Sequence, residues 1–257
     1  MNKIEVKILN CAAVSEAEKN MVFAARLTQR GHTIHSMDDL MCLYEKSFSE
    51  ETLKNIGHLP HPTVQKFSVI TVAIVGASRR FLAQITRHQN EVKFMSASLQ
   101  YSNYSGKADF AVPYEIMTAN EDIQKLYTES CQTDMDCYER LCQMGVGHDA
   151  AGYATPQGLR NVLIISATPF QWKHMIGQRS CRRNTDEMRI VMLKIWQELY
   201  GLSPVLFASE LTGPFCQRGK CVEGKMACGK PLDKNMNPVD ILQTDYPLLM
   251  EGGLHEG

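Results

Sequence analysis

A run of β-branched and apolar residues, FSVITVAIVG at residues 67–76, is the feature that most constrains the fold. Such a run is typical of a strand that is buried on both faces. Gly76 and Ser78 interrupt the run, and Ser78 is a suitable N-cap for a helix. The chain is therefore expected to pass from a buried strand into a helix whose free backbone N–H groups favour an anion.

The predicted helix after this strand has one polar face. On a helix over residues 79–88, Arg80, Gln84, Arg87 and His88 fall at positions i, i+4, i+7 and i+8. Guanidinium groups bind phosphate through paired hydrogen bonds, and a Gln side chain can pair with the edge of a base or ring. The face therefore predicts an anion site, with a solvated helix face as the alternative.

Three further groups of polar residues are candidate sites. Residues 96–105, rich in Ser, Asn and Tyr, follow the predicted helix and either complete a phosphate or nucleobase pocket or form an ordinary polar loop. Residues 179–184, RSCRRN, follow His174 and form either an anion site or a surface charge cluster. His61 and Thr63 precede the strand, where a lone His is more often structural than functional.

The remaining pattern predicts an α/β protein. The other predicted elements are a strand at residues 3–10, a buried apolar segment at residues 159–165, and helices at residues 15–31, 37–45, 50–56, 120–144, 168–178 and 186–200. The first helix is predicted to be capped by a box of Ser15 and Glu18. With no linker visible, we predict one catalytic domain at residues 1–212 and a Gly- and Cys-rich tail at residues 213–257, loose from Pro231 onward.

Composition limits the class of protein. The net charge of −1 gives no global field that would attract nucleic acid or an acidic membrane, so we expect neither as a partner. No secretory signal is visible, and no apolar run approaches the roughly 18 residues of a membrane span. Nine cysteines, an odd number, argue against a disulfide framework. We predict a cytoplasmic protein with reduced thiols.

The cysteines of the tail leave one alternative open. Cys216, Cys221 and Cys228 have the spacing C-x4-C-x6-C, which differs from the paired C-x2-C of a zinc ribbon. We therefore predict that no metal is bound. An all-cysteine site with Cys181 as the fourth ligand is the alternative.

The order of residues also resembles a known family, the flavin-dependent thymidylate synthases (the ThyX family). Its signature, S-R-x4-Q-x2-R-H-R followed by a Ser and S-x-R-Y, is similar to Ser78-Arg79, Gln84, Arg87-His88, Ser98 and Tyr101. Further similar segments are His61-x-Thr63, Leu159-Arg160-x-x-Leu163, the block of His174, Arg179, Cys181, Arg183, Glu187 and Arg189, and the tail at residues 213–230.

This chain is a divergent match to the signature. Gln89 stands where the second Arg of R-H-R is usual, and Gln100 replaces the Arg of S-x-R-Y. Lys66 and Phe67 replace a Glu-His pair. The loss of two cations near flavin and nucleotide leaves two alternatives open: a related enzyme that methylates or hydroxymethylates another pyrimidine nucleotide (UMP or dUMP), or a non-catalytic flavin- or nucleotide-binding relative.

The resemblance implies a single α/β (α+β) domain with a central, mostly antiparallel sheet flanked by helices, assembled as a homotetramer. It implies the reductive methylation of dUMP to dTMP, with FAD as cofactor and NADPH and methylenetetrahydrofolate as co-substrates. The implied partners are dUMP or a related pyrimidine nucleotide, the folate, and further copies of the chain.

The resemblance also assigns site residues. The implied catalytic residues are Arg179, Ser98 and His61. The implied flavin-binding residues are Thr63, Arg87, His88, Gln89, Asn90 and His174. The implied nucleotide-binding residues are Gln84, Ser98, Gln100, Arg160 and Arg179, with Arg179 facing the uracil ring.

Overall fold

The computed structural model describes residues 4–107 and 109–251. Lys3, at the start of the first predicted strand, and residues 252–257 of the predicted tail lie outside this range. An α/β fold is built on one four-stranded sheet. The strands are β1 (Glu5–Ile8), β2 (Ile70–Ser78), β3 (Val92–Ser96) and β4 (Arg160–Ala167). Their order is β1-β2-β4-β3, and every neighbouring pair is antiparallel. The predicted antiparallel sheet is therefore confirmed.

Helices make up most of the rest of the described chain. They are α1 (Ala12–Arg30), α2 (Met37–Glu45), α3 (Glu50–Gly57), α4 (Arg79–Ile85), α5 (Tyr114–Met117), α6 (Glu121–Gln143), α7 (His148–Ala151), α8 (Pro169–Arg179), α9 (Asp186–Leu202), α10 (Ser209–Thr212), α11 (Phe215–Arg218), α12 (Pro238–Asp245) and α13 (Pro247–Glu251). Ser49, Ser78 and Thr168 accept a backbone N–H at the start of α3, α4 and α8, which confirms three predicted helix starts.

The sheet is covered on one face only. Ile70, Val72 and Ile74 of β2 are fully buried against the helical core, in which Trp172 and Trp196 also lie. The alternate residues of the same strand point outward. The prediction of a strand buried on both faces is therefore wrong, and the strand also begins three residues later than the run suggested, because Phe67 is exposed.

The outward face of the sheet carries a patch of apolar side chains. Val75 lies opposite Val162, and Ile164 lies opposite Met95, so these four residues are neighbours on adjacent strands. Each is between 37% and 71% exposed. An exposed apolar patch on a sheet face is a common feature of surfaces that contact another chain.

Four local predictions need correction. Helix α1 begins at Ala12, and Ser15 lies inside it, donating from Oγ to the Ala12 carbonyl instead of capping the helix. Strand β3 was missed. Helix α4 ends at Ile85, because Thr86 already has a capping conformation, so Arg87 and His88 lie in the following turn. Gly201 lies within α9 instead of ending it.

The tail, predicted to be loose from Pro231 onward, packs against the core instead. Ile241 and Leu242 of α12 are buried in the main core, and Tyr246 is 1% exposed. Asp245 accepts hydrogen bonds from both Arg182 and Arg189, at 2.6 and 2.5 Å. The apolar residues of a short helix such as α12 can be recognised in the sequence. The helix against which they pack, α9, is distant in the chain.

In the described part of the chain, no helix has the combination of length and apolar character that crossing a membrane requires.

Candidate active site

The junction of β2 and α4 is fixed by a carboxylate from a distant helix. The N–H and Oγ of Ser78 donate to the two carboxylate oxygens of Glu187, at 2.7 and 2.6 Å. Ser78 Oγ in turn accepts the N–H of Phe81 at 3.0 Å. Helix α9 therefore sets where α4 begins. Glu187 belongs to the same block of residues as Arg179, but no site role was predicted for it.

Arg160 lies at the start of β4, opposite Ser78. Its Nε donates to the Gly76 carbonyl at 3.2 Å, and its Nη1 forms an ion pair with Asp109 at 3.3 Å. Gly76 has φ of +89°, and a Cβ there would stand 1.9 Å from Arg160 Nη2. The glycine is therefore required both by the backbone conformation and by the passage of the Arg160 side chain.

The structure joins two of the predicted site residues directly. Arg179 Nε at the end of α8 donates to His88 Nε2 at 2.9 Å. His88 is 8% exposed, and burial, together with the charges of Arg179 and His174, lowers its pKa to about 4. His88 is therefore a neutral imidazole near pH 7, with Nε2 as the acceptor for the guanidinium.

The other hydrogen bonds of Arg179 also go to neutral groups. Its Nη1 donates to Asn184 Oδ1 and its Nη2 to the Gln84 carbonyl, both at 3.4 Å. Burial and the nearby charge of Arg87 both lower the pKa of Arg179. Among the described residues, these bonds leave the positive charge of Arg179 without a carboxylate partner, a situation that favours an anionic ligand.

His174 lies one helical turn before Arg179 and extends the group. Its ring centroid is 6.1 Å from that of His88, with the two rings nearly perpendicular. Burial and the charge of Arg218 lower the pKa of His174. The structure thus brings together Gln84, His88, His174 and Arg179, with Arg87 exposed beside them.

The low pKa of His88 predicts how stability depends on pH. Between pH 6.5 and about 4 the unfolded chain binds a proton at His88 that the folded chain does not, so the free energy of unfolding falls as the pH falls through this window. We expect His88→Gln, which keeps an acceptor for Arg179, to lose this dependence. Urea unfolding of both proteins between about pH 7 and about pH 5 checks it. Parallel pH curves would contradict the assignment.

The turn between α4 and β3 presents Gln89 and Asn90 to solvent. The next residue, Glu91, has a positive φ of 55° and anchors the turn from two sides. Its carboxylate pairs with Lys66 at 2.6 Å and accepts from Thr168 Oγ1 at 3.1 Å. Lys66, which departs from the family pattern, therefore has a structural partner beside the predicted flavin residues.

Ser98 and Gln100 lie away from this turn, beyond the other end of β3. Ser98 Oγ accepts the Gln100 N–H at 3.1 Å, which makes a tight polar turn. Because Ala97 N–H donates to Val162, this turn lies at the same end of the sheet as Arg160. Three of the predicted nucleotide residues, Ser98, Gln100 and Arg160, are thus associated with this end of the sheet.

His61 and Thr63 are exposed at a short 3₁₀ turn, Pro62–Gln65. This turn packs against α8, because Lys173 Nζ donates to Gln65 Oε1 at 2.9 Å. The predicted supporting residues therefore lie beside the helix that carries His174 and Arg179. Their side chains are not part of the His88–Arg179 contact.

Comparison with known proteins identifies the family. Residues 11–205 match the family described as thymidylate synthase complementing protein. Since this match covers more than half of the chain, the chain belongs to that family. The resemblance found in the sequence is thereby confirmed.

The matching relatives carry one name. A flavin-dependent thymidylate synthase of Geobacter sulfurreducens is 26% identical, over 88% of this chain and 94% of the relative. Another of Thermococcus onnurineus is 28% identical, over 71% of this chain and 81% of the relative. This chain therefore spans most of the length of these relatives.

Solved structures share the fold. The UMP/dUMP methylase PolB from Streptomyces cacaoi, bound with 5-Br dUMP, aligns with a TM-score of 0.66 over 82% of this chain and 96% of its own. Thymidylate synthase X (ThyX) from Helicobacter pylori, with FAD and dUMP, aligns with a TM-score of 0.56 over 80% of this chain and 98% of its own. Both are 16% identical, so they support the fold alone.

Proposed function

We propose that this chain is a flavin-dependent thymidylate synthase, which reductively methylates dUMP to dTMP. FAD is the cofactor, methylenetetrahydrofolate donates the carbon, and NADPH supplies the reducing equivalents. The observation that carries the proposal is the contact of Arg179 with neutral His88, in a family whose matching relatives are named for this activity. The contact places an uncompensated guanidinium among the residues that the family signature assigns to flavin and nucleotide.

The residues present fit a flavin nucleotide. Its pyrophosphate needs a cation, which the exposed guanidinium of Arg87 can supply. Its ring system needs a buried, uncharged surface, which neutral His88 and His174 provide. We assign flavin binding to Arg87, His88, Gln89 and Asn90, with Thr63 and His174 in support. The bound flavin supplies hydride chemistry that protein side chains lack.

Arg179 is assigned to the uracil ring. Methyl transfer requires C5 of uracil to act as a nucleophile, and negative charge then develops on the ring oxygens. A guanidinium that is held by His88, Asn184 and the Gln84 carbonyl is already oriented, so it needs little reorganisation as that charge appears. Gln84 is the neighbouring nucleotide residue. His61 is assigned a position near the ring and the folate.

Arg160 is assigned to the nucleotide phosphate, with Ser98 and Gln100 as neutral donors at the same end of the sheet. Its Nη1, paired with Asp109, and its Nε, which donates to the Gly76 carbonyl, hold the guanidinium in place. Ser98 is a binding hydroxyl in this assignment, since the flavin mechanism needs no protein nucleophile.

We further propose a homotetramer. The support is the uncovered apolar face of the sheet, with Val75, Val162, Ile164 and Met95 as neighbours. Sedimentation equilibrium that gives a mass of one chain, 29.0 kDa, would contradict it. We also keep the division at residues 212 and 213 and a cytoplasmic location as proposals.

The alternative acceptor rests on two residues. Gln89 and Gln100 are both exposed and neutral where the family pattern has Arg. A smaller positive charge weakens contacts to phosphate, which changes nucleotide affinity before it changes the chemistry. A related pyrimidine nucleotide, UMP, is therefore the competing substrate. A non-catalytic flavin-binding protein is the second alternative.

One experiment separates these functions. The purified protein is expected to show flavin absorbance that NADPH bleaches without air, and to release tritium from C5-labelled dUMP only when methylenetetrahydrofolate is present. Mass analysis of the product should show dTMP. Release from UMP but not from dUMP would establish the alternative acceptor, and a hydroxymethyl product would establish the alternative reaction. A bound flavin that NADPH does not bleach would indicate the non-catalytic relative.

A further inference from the structure

Four cysteines from two distant parts of the chain line one cavity. Cys181 follows the end of α8, whereas Cys216, Cys221 and Cys228 come from the tail. The cavity has a volume of about 170 Å³ and lies between the tail and the residues that follow α8. All four cysteines are free thiols. None of them has a role in the proposed reaction.

Backbone N–H groups are directed at two of these sulfur atoms. The N–H of Lys230 donates to Cys228 Sγ at 3.4 Å, and Gly229 between them has φ of +71°, which allows the tight turn. The N–H of Arg183 is likewise directed at Cys181 Sγ. In both loops the donor is two residues after the cysteine. Such donors stabilise negative charge on sulfur, the form in which cysteine binds metal.

The charges around the cavity suit a cluster of thiolates. Two cationic side chains, Arg182 and Lys230, and one carboxylate, Glu223, line it together with the four cysteines. Arg182 also donates to the Lys230 carbonyl at 2.8 Å, which holds the tail against the end of α8. Four thiolates around a divalent metal ion carry a net negative charge, which the Arg182 and Lys230 side chains offset.

We propose that Cys181, Cys216, Cys221 and Cys228 bind one Zn²⁺ ion in a tetrahedral all-cysteine site. Among the described residues, no three His, Cys, Asp or Glu side chains stand close enough to hold an ion, so the candidate site is empty. Binding therefore draws the tail cysteines toward Cys181, and such coupling between zinc binding and local folding is usual. The sequence-based prediction of no metal rested on the tail spacing, and the common cavity now favours the alternative site with Cys181 as the fourth ligand.

The ion has a structural task in this position. Cys181 is two residues after Arg179, so the site fixes the end of α8 and the tail to each other. It supplements the ion pairs of Asp245 with Arg182 and Arg189, which join the same two parts. The proposal does not depend on the proposed reaction, and its test needs no measurement of activity.

The test is the zinc content of the full chain, purified without a metal-affinity step from cells grown with added zinc. We expect one Zn²⁺ per chain by elemental analysis. Cys181→Ser and Cys228→Ser should each lower the content to background. Cys42→Ser, at an exposed cysteine of α2, should leave it unchanged.

A second measurement covers the case in which a variant does not fold. Wild-type protein, stripped of zinc under reducing conditions and loaded with Co²⁺, should show the thiolate charge-transfer and tetrahedral d–d bands of a cobalt–cysteine site. The proposal is overturned if wild-type protein binds neither Zn²⁺ nor Co²⁺, or if Cys228→Ser keeps its zinc. Bound iron with a coloured spectrum, or disulfide bonds that account for the four thiols, would also overturn it.

Discussion

Arg179→Ala is expected to lower kcat by about 100- to 1000-fold while the protein keeps its flavin. The reason is that Arg179 contacts His88 through Nε only, and its remaining nitrogens are held by weak, neutral acceptors at 3.4 Å. The Arg179 guanidinium can therefore interact more strongly with a ligand anion than with its partners in the protein. The measurement is tritium release from C5-labelled dUMP under saturating substrates, with flavin content from absorbance.

Two control variants make the result specific. Arg140→Ala removes an exposed arginine from the last turn of α6 and should leave kcat unchanged. Arg179→Lys keeps the charge but loses the planar set of donors, so it should recover part of the rate. An unchanged kcat in Arg179→Ala would refute the assigned role. If the variant lost flavin but kept a normal rate per remaining flavin, the role assigned to Arg179 would change from uracil binding to flavin binding.

Asp245→Ala should be the most destabilising single change at the tail, with a loss of about 3 to 5 kcal/mol in the free energy of unfolding. Asp245 is 11% exposed and pairs with two arginines, of which Arg189 is 5% exposed. Removal of the carboxylate leaves the Arg189 charge buried, with the Tyr246 hydroxyl and the Ser180 carbonyl as neutral partners. Urea unfolding monitored by circular dichroism at about pH 7 measures the loss.

The matched control is a surface ion pair. Glu45 pairs with Lys19 at 2.7 Å, but the two side chains are 62% and 31% exposed, so Glu45→Ala should cost less than about 1 kcal/mol. An equal loss in both variants would show that burial of the Asp245 pair has no energetic effect.

Acid should act on the same ion pairs. Burial works to raise the pKa of Asp245, but hydrogen bonds and charges from Arg182 and Arg189 outweigh it and lower that pKa. The stabilising contribution is therefore present above the ordinary carboxylate pKa and is lost as the pH falls through the lowered value. The stability difference between wild type and Asp245→Ala should consequently shrink in acid.

Much of the candidate site could be predicted because its signals are local. The Ser78 cap depends on the residue type and its neighbours in the chain, and it forms where expected. The order of Gln84, Arg87, His88 and Ser98 identified the family without knowledge of any contact. Strand β3 was missed for a related reason: its sequence, VKFMS, is short and has one charged residue, and its identity depends on pairing with β4.

The contacts between distant segments could not be predicted. Glu187 accepts hydrogen bonds from Ser78 because α9 packs next to the end of β2. The periodicity of the sequence does not predict this placement. The tail was expected to be loose, since its apolar residues are few and irregular. Leu232 and Ile241 are nevertheless buried, because the surface of α9 and its neighbours receives them.

The sequence by itself determined the chemical groups and their order: the capped turn after a β-branched strand, the Arg-His pair, and the second Arg block that ends α8. These follow from side-chain chemistry and local backbone preference. The tertiary structure alone decided that Arg179 meets a neutral His88, that Arg160 lies opposite Ser78 at the start of β4, and that Cys181 lines one cavity with three tail cysteines. Burial sets the protonation state of His88, and burial exists only after segments far apart in the chain have packed together.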